Sequence, residues 1–388
     1  MKERKSMGKK RCLIVFGGKS VEHEVSVITG LQIIENIDKE QFEPIPLYIT
    51  KEGQWLTGDC LKDIETFRKK DFKKAKNVYL SFNKKDKSQL LIEKNKPLKV
   101  DFIFPALHGT YGEDGTIQGV FELLDIPYAM ANIGASTNGM DKIMMKKIFA
   151  YHNLPLVPYL WYYREVLEKN IEEKIDEIEK KLGYPLIIKP SNLGSSIGTS
   201  KAKDRKQLKQ SLEVAMQYDS KIIVEKAIVK IREINCSVIG YHDELEVSVC
   251  EEPIAFDNIL SFEDKYIRSN SKGKGFSRKI PADIKEDIKQ KIEQYAIESF
   301  KAIDCSGVAR IDFILEDNEK IYVNEINTIP GSISFYLWQP KGLSFKDLIS
   351  KILKIAERAY NEKKKNMYNF DADLFNKINK NAMKNSHK

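Results

Sequence analysis

The sequence predicts an α/β protein that starts on a parallel sheet and ends in antiparallel strands. Three stretches predict it. "RCLIVFGGKSVEHEVSVITGLQIIENI" passes from a β-type apolar run at 12–16 through Gly17-Gly18 into apolar residues at helical spacing. "VDFIFPALHG" repeats the pattern of buried strand followed by glycine turn. "GVARIDFILEDNEKIYVNEIN" alternates polar and apolar residues on both sides of a polar turn, which reads as a hairpin. Alternating strands and helices favour a parallel sheet, whose ligand sites lie beyond the carboxyl ends of its strands. The turns at Gly17-Gly18 and at Gly109 both occupy such a position.

Taken in order, "FEPIPLYIT" supplies another strand, and lysine-rich sequence from about 62 to 99 reads as an insertion with weak strands, "NVYLSF" and "QLLIEK". A second region begins near Met130. In it "TNGMDKIMMKKIFAYHNL" is helical, and "REVLEKNIEEKIDEIEKKLG" is a charged, largely exposed helix ending at Gly183. "YPLIIKPSNLGSSIGTSKA" then gives strand, glycine-serine loop and strand, and "SKIIVEKAI" a further strand. The third region holds "REINCSVIG" and "ELEVSVCEEP" as antiparallel strands, a polar loop at 258–278, a helix at 283–303 and the terminal hairpin.

Composition narrows the function classes. The chain has 388 residues, enough for two or three domains, with 42% hydrophobic and 31% charged residues, as in ordinary globular proteins. No apolar run approaches the ~18 residues of a membrane span, and the start lacks the pattern of a secretory signal. The cysteines at 12, 60, 236, 250 and 305 show no metal or disulfide spacing, which favours a reducing cytoplasm. The formal charge of +8 sits in two polar ends: residues 1–11 carry +5, residues 361–388 carry +4, and the body is left at −1. No basic stripe with interleaved aromatics runs through that body, which disfavours a nucleic-acid partner.

Three constellations carry chemistry. "KPSNLGSSIGTS" places Lys189 at a strand end before a loop of small residues, whose N–H groups suit anionic oxygen; an ordinary hairpin turn fits the same segment. "GGKS" at 17–20 is not a Walker A loop, because Leu13 stands where its first glycine belongs, and no Gly-x-Gly-x-x-Gly fingerprint follows. In the terminal hairpin, Arg310 and Asp312 share one strand face, and Glu325 and Asn327 share a face of the next. A four-residue loop at 317–320 sets Asp312 opposite Glu325 and Arg310 opposite Asn327, clustering hard oxygen donors suited to Mg²⁺; the bland alternative is a solvated surface hairpin. Finally, "HGTYGEDGTIQG" (108–119) puts His108, Glu113 and Asp114 on a glycine-rich turn near "EHE" (22–24). A lone histidine there is more often structural than catalytic. Glu22 suits a cationic amine, and Glu24 is expected to cap the helix or pair with His23.

In this combination the chain resembles the D-alanine–D-alanine ligases of the ATP-grasp superfamily, from about residue 11 to 356. The motifs "GGKSVEHEVSV", "HGTYGEDGTIQG", "MDK", "KPSNLGSSIG", "VEKAI", "REINCSV", "DKY", "RID" and "NEINTIPG" stand in that family's order. The resemblance implies an ATP-grasp architecture with these boundaries: a basic extension (1–10), an N-terminal α/β domain (11–130), a central ATP-grasp subdomain (131–228), a C-terminal one with the metal site (229–360) and a polar tail (361–388). It implies that Lys142, Lys189, Ser195, Ser196, Glu225, Lys226, Ile228, Glu233 and Lys265 contact ATP. Asp312, Glu325 and Asn327 would hold two Mg²⁺, or Mn²⁺, ions. Glu22 would bind the first substrate's ammonium, with His108 near its carboxylate. Ser195 and Tyr266 would complete a hydrogen-bonded set with Glu22, and Arg310 with the Gly331 backbone would stabilise the oxyanion.

The activity so implied is ATP-dependent joining of two D-alanines through an acyl phosphate, for peptidoglycan precursors, by a cytoplasmic homodimer with no membrane or nucleic-acid partner. Tyr266 in "SFEDKY" argues against a depsipeptide ligase. One position departs from the family: Tyr336 stands where a serine usually meets the second substrate's carboxylate. Ligation to another acceptor such as D-serine, or a catalytically silent nucleotide-binding regulator, are the alternatives.

Overall fold

The computed structural model describes residues 8–81, 89–92, 96–254, 277–368 and 370. The first body contains β1 (Lys10–Gly17), α1 (His23–Asn36), β2 (Phe42–Ile49), β3 (Trp55–Thr57), α2 (Ile64–Arg68), β4 (Lys76–Ser81), β5 (Gln89–Ile92), β6 (Lys96–Leu98), β7 (Phe102–Pro105) and α3 (Thr116–Leu124). Its sheet runs β6-β5-β4-β3-β2-β1-β7. The expected parallel sheet needs correcting. β1 is parallel to β2 and β7, whereas β3 to β6 add on antiparallel, giving a mixed sheet. The short connection at 50–54 decides this, because a parallel neighbour needs a crossover of a dozen or more residues. The lysine-rich insertion is therefore a meander extending one edge of the sheet.

The second body follows α4 (Ile133–Met140) and α5 (Lys142–Tyr151) with β8 (Tyr159–Tyr163), α6 (Arg164–Lys181), β9 (Leu186–Pro190), β10 (Ser200–Ala202), α7 (Arg205–Tyr218) and β11 (Lys221–Lys226). The sheet β10-β9-β11-β8 is antiparallel. Leu167, Ile175 and Ile178 of α6 and Leu208 and Leu212 of α7 bury against Leu186 and Ile188. Asp204 caps α7 by accepting from the Gln207 N–H, which fixes where the helix starts.

The third body comprises β12 (Ile231–Tyr241), β13 (Glu244–Val247), β14 (Glu252–Ile254), β15 (Ser277–Lys279), α8 (Glu286–Ala302), β16 (Gly307–Glu316), β17 (Lys320–Asn327), α9 (Phe335–Trp338) and α10 (Phe345–Lys363). Antiparallel β13-β12-β16-β17 form its sheet. The hairpin reaches the expected pairing by another route. Its turn is only 317–319, with Glu316 paired to Lys320, and a bulge between Asp312 and Phe313 shifts the register. Beyond the bulge Asp312 faces Glu325 and Arg310 faces Asn327, as predicted. α10 buries Leu348, Ile349, Ile352 and Leu353 in one core with Phe16, Ile33, Phe104 and Trp338, tying the chain's end to its beginning. Among the described residues no helix is long and apolar enough to cross a membrane.

Candidate active site

The three bodies meet around a cavity of about 360 Å³ whose walls include Glu22, Ser195, Arg310, Asp312, Gly331 and Tyr336. A smaller compartment of about 140 Å³ adjoins it, lined by Ile187 and Lys189 of β9, Ser196, and Phe313 of β16. Lys142, Ser195, Glu233, Asp312 and Glu325 border both. The cleft is thus one space with two lobes, and the predicted metal carboxylates stand at their junction.

Glu22 immediately precedes α1 and is 6% exposed. The Ser195 hydroxyl donates to its Oε1, joining two residues that lie on different bodies. A side chain on either flanking glycine would displace this carboxylate. A Cβ at Gly109, whose φ is +69°, would come within 2.6 Å of Glu22 Oε2, and one at Gly194 within 2.7 Å. Glu24 pairs with Lys51 rather than His23, whose ring instead bonds the Gly18 carbonyl and the Tyr48 hydroxyl.

The turn 108–119 divides its duties. The Glu113 carboxylate accepts from the backbone N–H groups of Gly109 at 2.9 Å and Ile329 at 3.0 Å, pinning the turn to the "NTIPG" segment. Burial, and then the charge of Glu22, push its carboxyl up to about 8. Asp114 accepts from the Tyr111 and Thr116 N–H groups and orders the loop. His108 is buried behind the cavity, its Nε2 3.0 Å from the Thr29 hydroxyl, which accepts from the Ser332 N–H at 3.2 Å. Thr29 lines the cavity and His108 backs it. Burial pulls the His108 imidazole down to about 4, so the ring is neutral at pH 7. Ser332, Ile333 and Ser334 follow Gly331 with φ of +50°, +46° and +53°. A β-branched residue is strained there, and the complete burial of Ile333 in the shared core holds it.

On the hairpin, Arg310 donates from Nε and Nη2 to the two oxygens of Asp312, at 2.6 and 2.8 Å. Asn327 Nδ2 donates to Asp312 Oδ2 at 3.1 Å. Lys142 Nζ lies 3.7 Å from Glu325 Oε2 and donates to the Leu193 carbonyl at 2.8 Å. The bulge turns Asn324 toward the smaller lobe, where Lys189 Nζ donates to its Oδ1 at 3.4 Å.

Glu225 is 3% exposed and ion-paired to Lys189 at 2.6 Å and to Lys146 at 2.8 Å. Burial pushes its carboxyl up, but the two ammonium groups outweigh that and hold it at about 2. Lys226 Nζ donates to the Tyr184 carbonyl at 2.7 Å, and Ile228 is half-buried past the end of β11. Lys265 and Tyr266 lie outside the described residues.

Residues 11–131 match the family described as "D-ala D-ala ligase N-terminus", and residues 148–354 match "D-ala D-ala ligase C-terminus". The chain belongs to the D-alanine–D-alanine ligase family. A D-alanine–D-alanine ligase of Thermosipho melanesiensis is 44% identical over 356 residues, covering 90% of this chain and 94% of the relative. The VanG D-Ala:D-Ser ligase of Enterococcus faecalis superposes with a TM-score of 0.78 at 33% identity, over 90% of this chain and 99% of that one. A Bacillus anthracis D-alanine–D-alanine ligase complexed with ATP superposes with a TM-score of 0.66 at 26% identity, over 91% of this chain and 99% of that one. Family membership settles the architecture as ATP-grasp, with an N-terminal sheet that is mixed rather than wholly parallel.

Among the described residues no cluster of three or more His, Cys, Asp or Glu side chains is placed to hold a metal unaided. Two carboxylates and an amide fit Mg²⁺ better, because that ion keeps waters and takes phosphate oxygens. Two buried charged residues beside the cleft escaped the sequence reading. Lys146 sits one helical turn after Lys142 on α5 and is 1% exposed; the i,i+4 spacing in "DKIMMKK" was the available signal. Glu251, also 1% exposed, receives the Tyr336 hydroxyl at 3.1 Å, and no local pattern announces it.

Proposed function

We propose that the protein joins two D-alanines at the expense of ATP. The observation that carries this reading is the two-lobed cleft, in which the Glu22–Ser195 pair and the Asp312–Glu325–Asn327 face border the same space. Glu22 takes the first D-alanine's ammonium, which orients the carboxylate toward the smaller lobe. There Lys142, Lys189 and the turn at Ser195-Ser196 receive the triphosphate. Glu225, Lys226, Ile228 and Glu233 serve the nucleoside side. A carboxylate oxygen attacks the γ-phosphorus and ADP leaves, giving an acyl phosphate. The second amine then attacks the carbonyl, loses a proton and expels inorganic phosphate.

Arg310 and the Gly331 backbone face the oxygen that gains charge in the second step; groups fixed before reaction need no reorganisation. Asp312, Glu325 and Asn327 would hold Mg²⁺, which when bound neutralises phosphate charge during transfer. His108 contributes by fixing Thr29. The boundaries 11–130, 131–228 and 229–360 follow the three sheets in this reading, and a cytoplasmic homodimer making peptidoglycan precursor accords with the family. Tyr336 favours a second reading, D-serine as acceptor, because a bulky phenol stands where a small hydroxyl is usual.

Purified protein with ATP, Mg²⁺ and D-alanine should release phosphate and form D-alanyl-D-alanine in equal amounts. Phosphate release only when D-serine is added would transfer the assignment to the second reading. No release with any D-amino acid would refute both.

A further inference from the structure

Resting on that ligase reading, we propose that Arg278 receives the carboxylate of the second amino acid, with Tyr336 and Glu251 holding it in position. Four elements converge here: Glu251 just before β14, Arg278 on β15, Tyr336 on α9 and Asn235 on β12. Glu251 is buried, and a buried carboxylate is costly unless hydrogen-bonded and paired. Its Oε1 accepts from the Tyr336 hydroxyl at 3.1 Å and from Asn235 Nδ2 at 3.0 Å. Backbone N–H bonds in both directions between Asn235 and Glu251, each 2.9 Å, fix its place. Arg278 Nη1 lies 3.6 Å from Glu251 Oε2, and the guanidinium carbon stands 4.2 Å from the Tyr336 ring centre. A guanidinium stacked on an aromatic face and drawn to a carboxylate has a set orientation, suited to a planar carboxylate partner.

Chemistry then assigns the role. The Tyr336 hydroxyl is directed to Glu251, so it does not replace the small hydroxyl that the family ordinarily offers the acceptor. Three described cations line the larger cavity: Lys142, Arg278 and Arg310. Lys142 stands beside Glu325 and Arg310 is bidentate on Asp312, both at the phosphate-transfer face. Arg278, Tyr336 and Glu251 border the larger lobe and not the smaller one. Arg278 is the cation placed away from the triphosphate, where an incoming amino acid's charge has to be met. It also offsets Glu251, whose charge would otherwise repel that carboxylate.

The test uses full-length protein with ATP and Mg²⁺ in three assays. Hydroxylamine in place of an acceptor traps the acyl phosphate as D-alanine hydroxamate and reports the first half-reaction alone. D-alanine as acceptor reports the whole reaction, and D-alaninamide reports the need for an acceptor carboxylate. For Arg278→Ala we expect hydroxamate formation within twofold of wild type and a KM for acceptor D-alanine raised at least tenfold. The preference for D-alanine over D-alaninamide should fall at least tenfold. Arg278→Lys should recover part of that preference, and Tyr336→Phe, which keeps the stacking face, should weaken acceptor binding by only a few fold. An unchanged acceptor KM, an unchanged preference against the amide, or an equal fall in both half-reactions would overturn the assignment. Wild-type protein that forms no hydroxamate would instead overturn the ligase reading itself, and this role with it.

Discussion

Glu325 opposes Asp312 across the hairpin and stands 3.7 Å from Lys142, so in the proposed reading it is the carboxylate that Lys142 and a cation would share. Glu325→Ala should lower turnover by at least a thousandfold while leaving the circular-dichroism spectrum and melting temperature near wild type, since the side chain carries little packing. Lys146 differs. It is buried against Glu225, which Lys189 also holds, so its removal takes one of two cations from that carboxylate and leaves the other. Lys146→Met should cost about 1.5 kcal/mol in urea unfolding, as for a lost hydrogen bond to a charged group, together with weaker ATP binding through a displaced Glu225. His108 makes one contribution to the pH dependence, opposite in sign to that of the raised Glu113 carboxyl. Its folded pKa is depressed to about 4, whereas the unfolded ring titrates near its ordinary 6.5. Between those values the unfolded chain binds the extra proton, so stability is lost as pH falls from 6.5 toward 4. The loss attributable to this ring is on the order of 3 kcal/mol. Between pH 6.5 and 4 the unfolding free energy of wild type should fall more steeply with falling pH than that of His108→Asn, by this contribution.

At the scale of elements, the bulge in β16–β17 does two jobs with one extra residue. It restores the Asp312–Glu325 pairing that a three-residue turn would otherwise shift, and it turns Asn324 to Lys189. Asn324→Ala removes one acceptor for an ammonium while sparing the carboxylates. The KM for ATP should rise roughly threefold to tenfold, in line with a hydrogen bond to a charged group, with kcat little changed; steady-state kinetics with ATP varied decide it. The turn at Gly109 is a second such device. Gly109→Ala forces a methyl group into Glu22 and an unfavourable φ at once. The hydroxamate half-reaction should fall at least tenfold in that variant, and an unaffected rate would remove Glu22 from the first-substrate pocket.

For the whole molecule, the deciding feature is how the cores are shared. β1, β7, α1 and α10 contribute to one apolar cluster, and Lys10–Glu357 and Lys364–Asp125 ion pairs bridge the same ends. The second body keeps a core of its own beneath α6 and α7. Ending the chain after Ser344 removes α10 and exposes the face of α1 and the strands beneath it. That truncation should give insoluble or unfolded protein. The second body should exchange its amide hydrogens as a unit separate from the rest, and its protection should rise most on adding ATP, because it supplies Lys189 and Glu225.

Local pattern alone carried a large part of this. The period-two alternation of "ARIDFIL" and "IYVNEIN" placed Arg310, Asp312, Glu325 and Asn327 on one face, because strand side chains alternate whatever surrounds them. Gly17-Gly18 and Gly109 marked the turns after buried strands, and motif order gave the family. Tertiary structure decided what depends on residues far apart in the chain. It made the first sheet mixed, buried Lys146 against Glu225, and directed the Tyr336 hydroxyl to Glu251. None of these is encoded in a short window, because a buried charge or hydroxyl takes whichever partner the packed bodies bring within reach, and only the folded chain sets that distance.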